Sequence, residues 1–180
     1  MAALATRREV FAGLALAAWS LPVVAAAQGA VGLGWTPRAL TDAQARTLSA
    51  AAEAIMPATD TPGAVAAGVP QFIDRQIADW CEPAEAARLK AGLDDLDVRA
   101  KAAGAASFAA LSPQQAQTVL NAVEVDARAA PYWRMLKGLA TTGYFTSRVG
   151  ATKALRYDPI PGAYRGCVPL KDIGRTWATT

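Results

Sequence analysis

Five stretches of this chain carry apolar residues three and four positions apart, and each opens on a residue that starts helices: Thr41, Pro70, Pro83, Ser112 with Pro113, and Pro131. Helical periodicity of this kind lets a segment bury one stripe and solvate the rest. The chain is rich in alanine, and runs of β-branched residues are scarce, so backbone propensity points the same way. Together they predict an all-α fold: a compact bundle of about five helices, followed by an extended C-terminal segment rich in proline and glycine.

The individual signals are local. Thr41 is an N-cap with Asp42 in the first turn, and Leu48, Ala51, Ala52 and Ile55 form one apolar face up to about Met56. Pro57 stops this helix, and Pro57-Ala58-Thr59-Asp60-Thr61-Pro62-Gly63 reads as a loop. Pro70 opens a second helix, predicted to present Phe72, Ile73, Ile77 and Trp80 on one side, with Asp74, Arg75 and Asp79 mostly opposite. Pro83 starts a third, with Leu89, Leu93, Leu96 and Ala100 on its buried stripe and Gly104 at its end. Phe108 and Leu111 form a short apolar connection. Ser112-Pro113-Gln114-Gln115 is a capping box ahead of Val119, Leu120 and Val123. Pro131 opens a fifth helix carrying Tyr132, Trp133, Leu136, Leu139 and Ala140. Residues 146–180 are predicted to be mostly extended or irregular, because prolines and glycines crowd 155–170.

Residues 1–27 have a different character. Thr6-Arg7-Arg8-Glu9-Val10-Phe11 precedes an apolar run from Ala12 to Val24, with Pro22 near its end. Ala25 and Ala27 then present small side chains to a signal peptidase, with the cut expected before Gln28. Paired arginines, a short apolar core and a small-residue cleavage site make a twin-arginine export signal. The apolar core is shorter than the roughly 20 residues a spanning helix needs. An uncleaved N-terminal anchor is the alternative. No later apolar run has spanning length, so residues 28–180 are expected to form a soluble periplasmic helical domain. The twin-arginine route carries folded proteins, often with a cofactor or partner in place.

Charge divides the exported part. Residues 28–127 hold 7 basic and 12 acidic residues, whereas 128–180 hold 9 basic and 2 acidic. The C-terminal third is therefore suited to an acidic surface, either a partner's or the chain's own. Nucleic acid is not an expected partner for an exported chain without a basic-aromatic motif. The chain has no histidine, so the usual imidazole-based triads, dyads and most zinc sites cannot be built. It also has no Cys-x-x-Cys-His haem attachment and no glycine-rich phosphate loop. Asp94, Asp95 and Asp97 are expected on a solvated helix face, with Asp94 and Asp97 sharing a side. Asp60 is expected to shape its turn. Cys81 and Cys167 could bridge in an oxidising compartment or stand as separate thiols. These residues provide no catalytic, cofactor-binding or metal-binding set.

Three ordered stretches carry a resemblance. The first is Ile55-Met56-Pro57-Ala58-Thr59-Asp60 with Pro62-Gly63-Ala64 and Gly68-Val69-Pro70-Gln71-Phe72-Ile73-Asp74. The second is Gly143-Tyr144-Phe145-Thr146-Ser147. The third is Tyr157-Asp158-Pro159-Ile160-Pro161-Gly162-Ala163-Tyr164-Arg165-Gly166-Cys167. After a twin-arginine leader, this set resembles the gluconate 2-dehydrogenase subunit 3 family. The resemblance implies a non-catalytic small subunit of a periplasmic sugar or polyol dehydrogenase complex. FAD would sit in a partner subunit of the glucose-methanol-choline oxidoreductase type, and haem c in a multihaem cytochrome that often takes the electrons. It further implies co-export, maturation and stabilisation of the flavoprotein, and membrane association only through the complex. The residues expected to dock are Tyr144, Phe145, Tyr157, Pro161, Gly162, Tyr164 and Arg165, with core packing and turn geometry as the competing roles. A free-standing exported helical protein and an independent flavin- or sugar-binding enzyme are the alternatives.

Overall fold

The computed structural model describes residues 33–160, 162, 163 and 167–178. The export residues Arg7 and Arg8, the cleavage residues Ala25, Ala27 and Gln28, and Pro161, Tyr164 and Arg165 lie outside the described residues.

Helix α1 (Asp42–Ile55) is the hub. Its start is fixed by reciprocal bonds: the Gln44 amide donates to the Thr41 hydroxyl, and the Gln44 side-chain oxygen accepts from the Thr41 amide, both at 3.2 Å. Ala45, Leu48, Ala51 and Ala52 are fully buried. Three of these four are alanines, so neighbouring helices can approach closely. Around α1 pack α2 (Val69–Asp79), α3 (Pro83–Ala102), α4 (Pro113–Val125) and α5 (Ala130–Thr146). A single 3₁₀ turn, Phe108–Ala110, seats Phe108 against α1 and α3. The fold is thus all-α, with no strand among the described residues. None of the helices described is long and apolar enough to cross a membrane.

The remaining starts and stops follow local chemistry. Gly68 takes a left-handed φ of 78° at the head of α2, where a side chain would be strained. At the end of α3 the Ala105 amide reaches back to the Ala100 carbonyl at 3.0 Å around Gly104, the bond of a Schellman cap. The Ser112–Gln115 capping box opens α4.

Two expectations for α2 need correction. Trp80 is not on the buried stripe. The helix ends at Asp79, Trp80 leaves the helical path at φ −130°, and its side chain is 79% exposed. Asp74 is not on the solvent side but only 2% exposed. It belongs to the 70-73-74-77 stripe, and a polar group can lie there because the turn before α1 brings donors to it. Its Oδ2 accepts from the Arg38 amide at 2.7 Å, and its Oδ1 from the Ala39 and Leu40 amides at 3.1 and 3.2 Å. Beside it, the Arg38 guanidinium forks onto Asp79 at 2.7 and 2.9 Å. One face of α2 therefore fixes the chain entering α1.

The three aspartates of α3 are not simply a solvated face either. Asp97 Oδ1 accepts from the buried Thr47 hydroxyl and from the Phe108 amide, both at 2.8 Å. It joins α1, α3 and the 3₁₀ turn. Asp95 accepts from Arg99 Nε at 2.7 Å and from the Tyr132 hydroxyl at 2.6 Å, tying α3 to α5. Asp94 is exposed and accepts from Gln44 Nε2 at 3.0 Å.

Helices α3 and α5 meet at Gly92. A Cβ there would fall 2.4 Å from two Tyr132 ring carbons. That ring is buried and held at its hydroxyl by Asp95, so it cannot swing aside. Gly92→Ala should therefore lower stability by about 2 kcal/mol in urea titrations, despite alanine's better helix propensity. An unchanged midpoint would show that the two helices separate freely.

Beyond α5 the chain is less uniformly extended than predicted. It forms a π-helical turn over Gly150–Ala154 and one short helical turn, α6 (Leu170–Ile173), directly after Pro169. The rest of the described part is irregular, apart from an isolated parallel bridge between Arg156 and Trp177.

Candidate docking surface

The first two resemblance-bearing stretches meet inside the fold. The loop between α1 and α2 is held from both sides. From α1, Glu53 accepts from the Ala58 amide at 3.2 Å and the Val65 amide at 2.8 Å. From α5, the Tyr144 hydroxyl donates to the Pro62 carbonyl at 2.8 Å and lies 3.1 Å from the Thr61 hydroxyl. Asp60 accepts from its neighbour Thr59 at 2.9 Å, in keeping with a turn-shaping role. Gly143 faces Phe72, whose ring would lie 2.6 Å from an added Cβ.

Tyr144 is thus corrected from docking residue to core residue. It is 3% exposed, and its polar end is used internally. Phe145 stands edge-on to it, ring centres 5.3 Å apart, and packs half-buried against the core. Local sequence could not separate these roles, because the loop that covers Tyr144 lies more than 80 residues earlier.

The third stretch lies elsewhere, on the segment that follows Gly150. No described side chain from 151 to 178 is buried. Tyr157 is 49%, Ile160 84% and Trp177 40% exposed. Gly162 is exposed with a left-handed φ of 71°. The Asp158 side chain accepts from the Ile160 amide at 3.1 Å, an Asx turn that shapes the backbone here. Exposed apolar side chains mark an interaction surface where they form a contiguous patch. Trp80, at the end of α2, is an exposed aromatic that periodicity had placed in the core, so the sequence reading missed it as a surface residue.

Cys81 and Cys167 are unbridged. Cys81 is half-buried after α2, and burial with the nearby Glu85 carboxylate pushes its thiol up. Cys167 sits exposed on the irregular segment. The described residues contain no cluster of three or more potential metal ligands.

A shallow groove between the end of α1, α4 and α5 is lined by Ile55, Pro57, Leu120, Glu124, Trp133 and Lys137. Its polar groups satisfy one another. Lys137 donates to both Glu124 oxygens at 2.7 and 2.6 Å, Trp133 Nε1 also donates to Glu124, and the Lys137 ammonium lies 5.4 Å from the Trp133 ring centre. Next to the groove, Arg99 bonds Asp126 at 2.5 Å. Burial and the bond to Asp95 push the Tyr132 hydroxyl up, and its two aspartates keep Arg99 firmly charged.

These pairs set an acid limit on stability. Hydrogen bonds from Lys137 and Trp133 hold Glu124 below its ordinary 4.5, and Arg99 with the Arg128 amide holds Asp126 below 3.8. Both carboxyls bind protons less readily when folded than when unfolded. Their contribution is present above those ordinary values and is lost as pH falls through the lower folded ones. Thermal melts should therefore show a midpoint that drops below about pH 4.5. Glu124→Gln with Asp126→Asn should flatten that drop, and an identical pH profile in the double variant would remove the assignment.

Residues 42–162 match the family model described as gluconate 2-dehydrogenase subunit 3. No curated protein and no solved structure matches the chain.

Proposed function

Since the chain belongs to the gluconate 2-dehydrogenase subunit 3 family, we propose that it is the non-catalytic small subunit of a periplasmic sugar or polyol dehydrogenase. In this reading it accompanies an FAD-containing catalytic subunit of the glucose-methanol-choline type through the twin-arginine pathway and stabilises it afterwards. Substrate oxidation and FAD belong to that partner, and haem c belongs to a cytochrome subunit that receives the electrons. No residue of this chain is assigned to catalysis.

One observation carries the reading toward an assembly: the exposed apolar side chains of 151–178, which the chain's own core does not cover. The leader supplies the other half of the argument. A folded-protein export signal on a small helical domain suits a chain that brings a cofactor-loaded partner with it. The loop of the first resemblance-bearing stretch, held by Glu53 and Tyr144, supports a body rigid enough to present a defined surface.

The test is to express a flavoprotein subunit of the proposed type from the same organism with and without this chain, and to assay flavin-dependent sugar oxidation in the periplasmic fraction. Activity is expected only when both are present. Equal periplasmic activity without the small chain overturns the escort role. A purified small chain that carries flavin absorbance by itself overturns the non-catalytic assignment.

A further inference from the structure

We infer that residues 33–40 form a strap that gates removal of the leader. While the strap is closed on α2, folded bulk stands close to the expected cut before Gln28, and peptidase cleavage waits for the strap to open. The inference is independent of the accessory-subunit reading, but it rests on the reading of residues 1–27 as a cleaved leader.

The strap has no regular structure to hold it. It lies outside every helix, and none of its backbone groups bonds another backbone group among the described residues. Side chains along it alternate in exposure. Leu33, Trp35, Pro37 and Ala39 are half-buried, Gly34, Thr36 and Arg38 are exposed, and Leu40 is buried. Leu33, Trp35 and Ala39 pack against the core. An extended run that turns every second residue inward is laid on the bundle rather than built into it.

Its lock is a pair of carboxylates on α2. Asp74 accepts the amides of Arg38, Ala39 and Leu40 at 2.7, 3.1 and 3.2 Å. Asp79 accepts the Arg38 guanidinium in an exposed fork. Every polar bond listed between strap and body thus ends on one helix, and the buried part of the lock is a single side chain. A short segment held this way opens locally, at lower free energy than the helical body unfolds.

The strap's place in the chain gives that opening a consequence. Five residues, Gln28 to Gly32, separate the expected cut from Leu33. Fully extended, five residues reach at most roughly 18 Å. With the strap open through Leu40 the free chain has thirteen residues, and its limit rises to roughly 45 Å. Proteases cut where backbone is free of the fold, because their clefts take the substrate as extended chain. When opening and closing are fast relative to cleavage, the rate follows the open fraction. A closed strap would therefore keep the leader attached to the folded chain. The cleaved signal and the uncleaved anchor then become two states of one protein, and Asp74 sets the balance between them.

The full-length precursor, folded in detergent micelles and treated with purified signal peptidase, tests the gate. Release of the chain beginning at Gln28 is followed by mass spectrometry, and hydrogen exchange at the amides of Arg38, Ala39 and Leu40 reports strap opening. Three forms are compared: wild type, Asp74→Asn, and a form with six glycine and serine residues inserted between Gly32 and Leu33. The insertion lengthens the tether and leaves the lock intact. Both altered forms are expected to be cut about tenfold faster than wild type, but only Asp74→Asn should exchange the three amides faster. If Asp74→Asn loses its helical circular dichroism, Arg38→Ala takes its place, with about a threefold faster cut expected. Wild type cut as fast as the insertion form overturns the gate and leaves the leader reading intact. A strap variant that exchanges faster yet is cut at the wild-type rate also overturns it. An insertion form that is not cut between Ala27 and Gln28 overturns the leader reading, and the gate with it.

Discussion

Replacing Asp74 with alanine is expected to lower the unfolding free energy by about 4 kcal/mol, the largest effect of any single substitution considered in this fold. The Asp74 carboxylate accepts three backbone amides, those of Arg38, Ala39 and Leu40, at 2.7 to 3.2 Å. Its side chain is almost wholly buried between α2 and the turn that leads into α1. Removing it leaves donors facing a void without acceptors, and each such group costs about 1–3 kcal/mol. A domain is commonly stable by only about 5–15 kcal/mol, so the variant should unfold at markedly lower urea. Asp74→Asn separates the charge from the shape. It keeps the volume but replaces one acceptor with an NH₂ group that cannot receive an amide, and should recover less than half of the loss. If Asp74→Ala melts within about 1 kcal/mol of wild type, the amides have found water, and the turn before α1 is not held by this carboxylate.

Replacing Arg7 and Arg8 together with lysine is expected to remove the flavoprotein and its sugar-oxidising activity from the periplasm. Lysine keeps both positive charges and discards the planar guanidinium fork, so the substitution tests geometry rather than charge. The mature domain begins twenty residues later at Gln28 on the cleavage expected from the sequence, so its folding should be unaffected. The two subunits should still co-purify from the cytoplasm, with flavin bound to the large one. This combination of an intact complex in the wrong compartment distinguishes failed escort from failed assembly. If the large subunit reaches the periplasm and is active with the lysine pair, it travels by its own route, and this chain acts only after export.

These two expectations draw on different information. Nearly everything set by neighbours within one helical turn was legible in the sequence. Thr41, Ser112 and the helix-opening prolines marked where helices start, and Gly104 marked where one stops. The stripes at 89-93-96-100 and 119-120-123 gave buried faces that the packed bundle retains. The boundary of α5 was off by one residue, starting at Ala130 rather than Pro131. Trp80 was misplaced because periodicity does not say where a helix ends.

The polar connections were not legible in the same way. Asp74 was expected on the solvent side of α2, yet it lies on the buried 70-73-74-77 stripe, and the three amides that make its burial tolerable come from residues 34 to 36 positions earlier. Asp97 reads as surface until Thr47, 50 residues away, donates its hydroxyl to it. Gly92 looks like a weak point in α3 until Tyr132 fills the space a side chain would take.

The candidate surface divides along the same line. The sequence selected Tyr144, Phe145 and Tyr157 as equivalent aromatics in family-like stretches. Packing separates them: Tyr144 is used to clamp a distant loop, Phe145 is half-covered, and Tyr157 stays exposed beside the Arg156–Trp177 bridge. The sequence by itself determined the helical class, the helix starts and the charge division, because each depends on residues adjacent in the chain. Only the tertiary structure decided which carboxylates are buried, which glycines are contact points and which aromatics remain free to meet a partner. Those outcomes depend on groups brought together from tens of residues apart, and no local rule reaches that far.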